Sequence, residues 1–234
     1  MMLNSVPYMG QFISGIYLTL FLHYTTYYIV TDISLAIILA ISAYLLGGCP
    51  FSLWVGWRRL NKDIRKYGDG NPGAGNVFRA GDVRTGVIAV ILDIGKGFPF
   101  VFIAHSLFGL PGLLVAAIGL SAILGHAFSP FLRFKGGKAL AVTAGVLLAL
   151  PQYHLLVIFL AFIFAAFLFI EQDAWTTMAA PAGSLAYLII VRGDLWELLF
   201  TLGVLILFTI KQYENLKTAP RFRLKPVRWY QSRS

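Results

Sequence analysis

The sequence is poor in cysteine, in acid and in charge of either sign. Its single cysteine, Cys49, excludes an intrachain disulfide and a CxxC redox or metal pair. Only 12% of the 234 residues are charged, against 58% hydrophobic, and mean hydropathy is +0.76. A soluble domain carries about 25% charged residues. Several catalytic signatures are also missing. None of His23, His105, His126 and His154 has an aspartate five positions on, so no H-x-x-x-x-D pair exists. There is no G-x-S-x-G elbow, and no His/Cys/Glu cluster points to a metal. Nothing implies a cofactor. Residues 1–11 lack a basic n-region, so a cleavable signal peptide is not expected. The absence of inverted repeats makes a secondary transporter remote.

What is present is a series of apolar runs. They cover residues 12–30, 33–57, 85–108, 111–128, 153–170, 174–191 and 195–211, with a short run at 139–150 closed by Pro151. A span takes about 20 mostly apolar residues. Without the alternation of barrel strands, backbone polar groups in lipid must be satisfied within helices. The expected fold is all-α: a polytopic membrane bundle of about seven to eight transmembrane helices, one of them short or re-entrant. Three parts are expected: an N-terminal hydrophobic segment (1–32), a membrane domain (33–211) and a basic tail (212–234). From Lys211 onward the chain has seven Lys and Arg against one acid, Glu214. The net charge of +9 sits in the loops and this tail, at span ends. That placement suits an anionic leaflet and anionic ligands, and argues against nucleic acid. The basic loops 58–84 and 129–138 and the tail are expected on the cytoplasmic side.

The polar island 58–84 holds seven of the 19 Lys and Arg. Its centre runs Gly68-Asp69-Gly70-Asn71-Pro72-Gly73-Ala74-Gly75-Asn76. Backbone without Cβ atoms approaches a ligand closely, and arginine adds a forked donor for phosphate. Residues 68–73 match G-x-G-x-x-G, but no β-rich run precedes them and Pro72 fills a variable slot, so a dinucleotide fold is excluded. The second basic loop runs from Ser129 to Lys138, with Gly136-Gly137 between lysines. It lacks the leading glycine and the Ser/Thr of a nucleotide P-loop. In the 85–108 run, Asp93 and Lys96 share a helix face. They are either part of a site or a structural ion pair. Pro50 and its neighbouring glycines are expected to open a helix near its polar end.

The segments GGCPF (47–51), DIRKYGDGNPGAGNVFR (63–79), LDIGKG (92–97) and GHAFSPFLRFKGGK (125–138) together resemble the PlsY-type acyl-phosphate:glycerol-3-phosphate acyltransferases. The resemblance is clear over residues 33–140 and weak towards the tail. It implies an all-α membrane enzyme of the bacterial cytoplasmic membrane. Such an enzyme transfers a fatty acyl group from acyl phosphate to glycerol 3-phosphate, giving lysophosphatidic acid, with its active site on the cytoplasmic side. Gly48 stands where the family has serine, Asp69 where it has serine, and Gly75 where it has threonine. Gln212 stands at a functional histidine. These departures keep open a second reading, a non-catalytic relative that binds lipid or other membrane protein subunits.

The candidate anion cradle comprises Arg65, Gly70, Asn71, Gly73, Asn76 and Arg79. Lys135, Gly136, Gly137 and Lys138 form its other side, with Ser129 a donor and Lys96 a further cation. His126 is a candidate base or donor, or alternatively a helix-end residue beside Pro130. Asn215 follows from the resemblance alone. The reading requires loops 68–76 and 133–138 to meet at one cavity.

Overall fold

The computed structural model describes residues 29–150 and 152–222 of the chain. Most of the segment 12–30 lies outside them. Helix α1 occupies residues 29–48, and α2 (Phe51–Leu60) continues it beyond a break at Cys49 and Pro50. Proline has no N–H for the helical ladder, so the break falls where the sequence placed it. The division expected at residue 32 falls inside α1. Neither Thr31 nor Asp32 stops a helix, and Ser34 Oγ donates to the Val30 carbonyl at 2.8 Å.

A 3₁₀ turn at Ile64–Lys66 and a short helix, α3 (Ala74–Ala80), carry the polar island. Helix α4 (Val83–Gly95) starts on Asp82, whose carboxylate accepts from Thr85 N at 2.9 Å and Thr85 Oγ1 at 2.8 Å. It stops at Lys96-Gly97. Helix α5 (Pro99–Phe102) resumes the path and passes into a π turn at Ile103–Leu107. There follow α6 (Gly112–Ala127), a 3₁₀ turn at Pro130–Leu132, α7 (Leu140–Ala149), α8 (Tyr153–Phe169), α9 (Asp173–Val191) and α10 (Leu195–Leu216). Helix α10 runs five residues past the expected end at 211, its last turn closed by Lys217 on Glu214 at 2.7 Å. Among the described residues five helices are long and apolar enough to cross a membrane, and Leu140–Ala149 and Tyr153–Phe169 are shorter.

Lipid removes the hydrophobic contrast that drives helices together in water, so close packing has to supply the attraction. A side-chain carbon on Gly47 would run into the Ala122 carbonyl, and one on Gly125 into that of Tyr44, so α1 and α6 cross backbone to backbone. Helix α7 matters most for the site. Its ten residues rise only about 15 Å, half of the roughly 30 Å apolar thickness. It is buried from Val142 to Leu147 among α4, α6 and α8. Its N-terminus is reached by non-helical chain that folds back over the end of α6, where Gly136 N donates to the Ala127 carbonyl (3.2 Å) and Gly137 N to that of His126 (3.0 Å). Buried backbone outside helices is tolerated when its polar groups are paired in this way.

Candidate active site

The two basic loops meet. Lys138, last of the second loop, reaches Asp69 of the first, Nζ to Oδ2 at 2.8 Å. They border a cavity of about 650 Å³ lined also by the N-termini of α7 and α9 and by one face of α8. One end is polar: Asp69, Asn71, Asn76, Arg79, Lys138 and Asp173. The other is apolar: Val90, Leu160, Ile163, Phe164 and Phe167. Phe164 and Phe167 are exposed, at 64% and 50%. A cavity with a charged end and an exposed apolar wall suits a molecule with an anionic head and a long tail.

The polar end is ordered by Asn76, buried to 1% exposure. Its Nδ2 donates to Asp69 Oδ1 (2.9 Å) and to the Asn71 carbonyl (2.8 Å), and its Oδ1 accepts from Arg79 Nη1 (2.9 Å). Gly68 makes this possible. It has φ +57°, and a Cβ there would collide with Asn76 Oδ1 and the Arg79 side chain. Asp69 Oδ1 also accepts from Asn71 N at 3.2 Å. Asn71 Oδ1 is buried with no hydrogen-bond partner among the described residues.

Four charges close a ring around this end. Lys138 Nζ lies 2.8 Å from Asp69 and 3.1 Å from Asp173 Oδ2. Arg79 Nη2 lies 3.2 Å from the same Asp173 oxygen, and Arg79 Nη1 lies 4.0 Å from Asp69. Burial pushes the Asp69 carboxyl up. The Lys138 ammonium, with the bonds from Asn71 and Asn76, outweighs that and holds it below the ordinary carboxylate range. The open N-terminus of α7, just beyond Lys138, adds partial positive charge to the same place.

His126 lines the cavity from the end of α6 and is buried at 8% exposure. Among the described residues its imidazole makes no hydrogen bond. Gly136 and Gly137 pass so close that a Cβ on the first would strike the His126 carbonyl and one on the second the imidazole Nε2. These glycines make room for His126 while lying outside the cavity lining. Ser129 is buried, and its Oγ donates to the Gly48 carbonyl at 2.6 Å. At Gly48 itself a Cβ would meet Pro130 Cδ at 2.8 Å, so this chain has no room there for a serine without a shift.

Of the residues anticipated from sequence, Asn71, Gly73, Asn76, Arg79, His126 and Lys138 line the cavity together. The others lie elsewhere. Arg65 forks onto Asp63, Nε to Oδ1 at 2.9 Å and Nη2 to Oδ2 at 2.7 Å, outside the lining. Gly70 serves the turn with φ +73°. Lys135 and Asn215 are exposed. Lys96 is buried against Asp93 (2.9 Å) and donates to the Cys49 carbonyl (2.8 Å). Sequence reasoning treated Asp69 only as a departure and missed Asp173 and the α8 face. Asp173 gave one faint signal, an acid at the head of a span in a chain with ten acids.

A model of the glycerol-3-phosphate acyltransferase family matches residues 37–220. The glycerol-3-phosphate acyltransferase of Lactococcus lactis subsp. lactis (strain IL1403) is 35% identical over 188 residues, which is 77% of this chain and 88% of that protein. That of Listeria monocytogenes serovar 1/2a is 34% identical over 204 residues, 82% of this chain and 97% of that protein. Two crystal structures of PlsY (YgiH), an integral membrane glycerol 3-phosphate acyltransferase, superpose on the fold. The glycerol 3-phosphate form has a TM-score of 0.70 at 30% identity, and the lysophosphatidic acid form 0.69 at 29%. Each covers 78% of this chain and 90% of the PlsY chain. The match spans α1 to the end of α10 and includes both loops at the cavity, so the chain belongs to the glycerol-3-phosphate acyltransferase family.

Proposed function

We infer that this protein is a membrane acyltransferase that moves a fatty acyl group from acyl phosphate to glycerol 3-phosphate, releasing lysophosphatidic acid and phosphate. The observation that carries the reading is the two-ended cavity, with Lys138 and Arg79 at one end and the α8 phenylalanines at the other. The relatives' shared activity weighs against a purely structural, lipid-binding subunit.

The chemistry suits a site without a nucleophile. An acyl phosphate is a mixed anhydride whose leaving group departs readily. The glycerol hydroxyl attacks the acyl carbon, a new ester C–O bond forms, and the bond to phosphate breaks. The demands on the protein are positioning and charge. Lys138, Arg79 and the N-terminus of α7 hold phosphate oxygens. The unpartnered Asn71 Oδ1 is an acceptor for a substrate hydroxyl. His126 or a substrate phosphate oxygen takes the hydroxyl proton. The α8 face takes the acyl chain. The positive charge of loops 58–84 and 129–138 supports an orientation with the polar end towards the cytoplasmic face of the bacterial membrane.

The test is direct. Protein purified in detergent is given palmitoyl phosphate and labelled glycerol 3-phosphate. Lysophosphatidic acid should form, and Lys138→Ala and Asn76→Ala should each abolish it. Turnover that survives Lys138→Ala would remove the proposed site.

A further inference from the structure

The ring at the polar end is neutral. It sets two cations against two carboxylates in strict alternation, and the carboxylate oxygens take up the donors of Lys138 and Arg79. We propose that Asp69 and Asp173 are specificity-determining residues that occupy Lys138 and Arg79 in the empty site, so that a phosphate-bearing acceptor binds only by exchange for these carboxylates. The inference rests on the reading that these cations hold the acceptor's phosphate.

Three observations support exchange over permanent pairing. All four side chains line the cavity, so the ring is on the substrate's path. Its members are accessible: side-chain exposure is 19% for Lys138, 35% for Asp69, 46% for Arg79 and 52% for Asp173. Ion pairs in such surroundings are worth about 0–1 kcal/mol each, which a phosphate dianion can outcompete. Finally, the two Asp69 oxygens do different work. Oδ1 holds the loop through Asn71 and Asn76, while Oδ2 faces Lys138 alone. The carboxylate can release the ammonium while its other oxygen keeps the loop folded.

Two consequences follow. A neutral ring exerts little long-range pull, so acceptor affinity should be modest and nearly indifferent to salt. Product release is eased, because the carboxylates return to the cations as the phosphate leaves.

Glycerol 3-phosphate binding, followed as the shift in Tm of the full-length protein in detergent at low and at high salt, tests this. Asp69→Asn retains the Oδ1 acceptor and removes the charge at Oδ2. Asp69→Ser installs the residue usual in the family. Asp173→Asn repeats the test from α9, independently of the first loop. Each should bind glycerol 3-phosphate more tightly than the parent, on the order of tenfold for the Asp69 variants at low salt. Each should lose that gain at high salt, because a net positive site is screened where a neutral one is not. If all three variants bind no tighter than the parent while Lys138→Ala abolishes binding, the exchange is overturned and the acceptor site stands. If Lys138→Ala binds like the parent and no variant makes lysophosphatidic acid, the acceptor reading fails and this inference fails with it.

Discussion

The molecule holds two clusters of opposed charge, and they differ in where they lie. Asp93 and Lys96 face one another at 2.9 Å with both side chains 2% exposed. The ring of Asp69, Lys138, Asp173 and Arg79 has comparable distances, but its members are 19% to 52% exposed. The deep pair is held by its surroundings, although Asp93 also borders the cavity. Ser52 Oγ donates to Asp93 Oδ2 at 2.5 Å, and Lys96 Nζ also donates to the Cys49 carbonyl, so the end of α4 is tied to the break between α1 and α2. The ring ties loops and helix ends that border open space. Burial turns one ion pair into an anchor, and solvent leaves the other exchangeable.

The largest expected effect comes from breaking the deep pair on one side. Lys96→Ala leaves Asp93 buried without a counter-charge, which costs about 3–5 kcal/mol. Thermal unfolding in detergent should show a large drop in Tm. The double variant Asp93→Asn/Lys96→Met should recover most of it, because the amide oxygen introduced at position 93 still accepts from Ser52 and no charge is stranded. A double variant as unstable as the single one would mean that the pair does more than balance itself.

The next effect is on catalysis more than stability. Gly137→Ala places a carbon against the His126 imidazole, and the loop that ends in Lys138 must shift. A displacement near 1 Å at a reacting centre can cost on the order of 10²-fold in rate. Acyl transfer should fall by that much, with a smaller loss of Tm than Lys96→Ala. Unchanged turnover would show that neither His126 nor Lys138 needs its present position.

These two regions also show what could be read in advance. The Asp93–Lys96 contact was legible because residues three apart share a helix face whatever surrounds them. The break at Pro50, the short α7 and the meeting of the two basic loops were legible for similar reasons. They follow from a missing N–H, from the length of an apolar run, and from charge at span ends. The ring was only half legible. Asn76, Arg79 and Lys138 sit in glycine-rich basic loops that announce an anion. Asp173 lies about a hundred residues along from Asp69, and only the packing of α9 against α8 and α10 brings it to Lys138. A second use of Gly136-Gly137 was hidden for a related reason. Two glycines between lysines suggest a phosphate cradle, and here they also give the chain passage over His126, a constraint set by a residue outside the motif. The apolar wall left no signal at all, since Leu160, Ile163, Phe164 and Phe167 look like any other lipid-facing residues of a span.

Arg65 gives the smallest expected effect and the sharpest separation between motif and geometry. It sits in the same basic stretch as Arg79 and offers the same forked donor, yet it is bound to Asp63 outside the cavity lining. The hydrogen bonds from Arg65 hold the Asp63 carboxyl below its ordinary range. A depressed carboxylate contributes stability above its unfolded-state pKa, and that contribution fades as pH falls through the folded-state value. Arg65→Ala should therefore cost about 0.2–1 kcal/mol near neutral pH, as exposed pairs do. The difference from the parent should vanish in acid, once Asp63 is protonated in both. Acyl transfer and the KM for glycerol 3-phosphate should stay close to the parent's, because Arg65 lies outside the cavity lining. A large rise in that KM would instead place the Arg65 guanidinium at the substrate. The Asp63 contact would then be a resting position, and the exchange proposed for the ring would extend to a third cation.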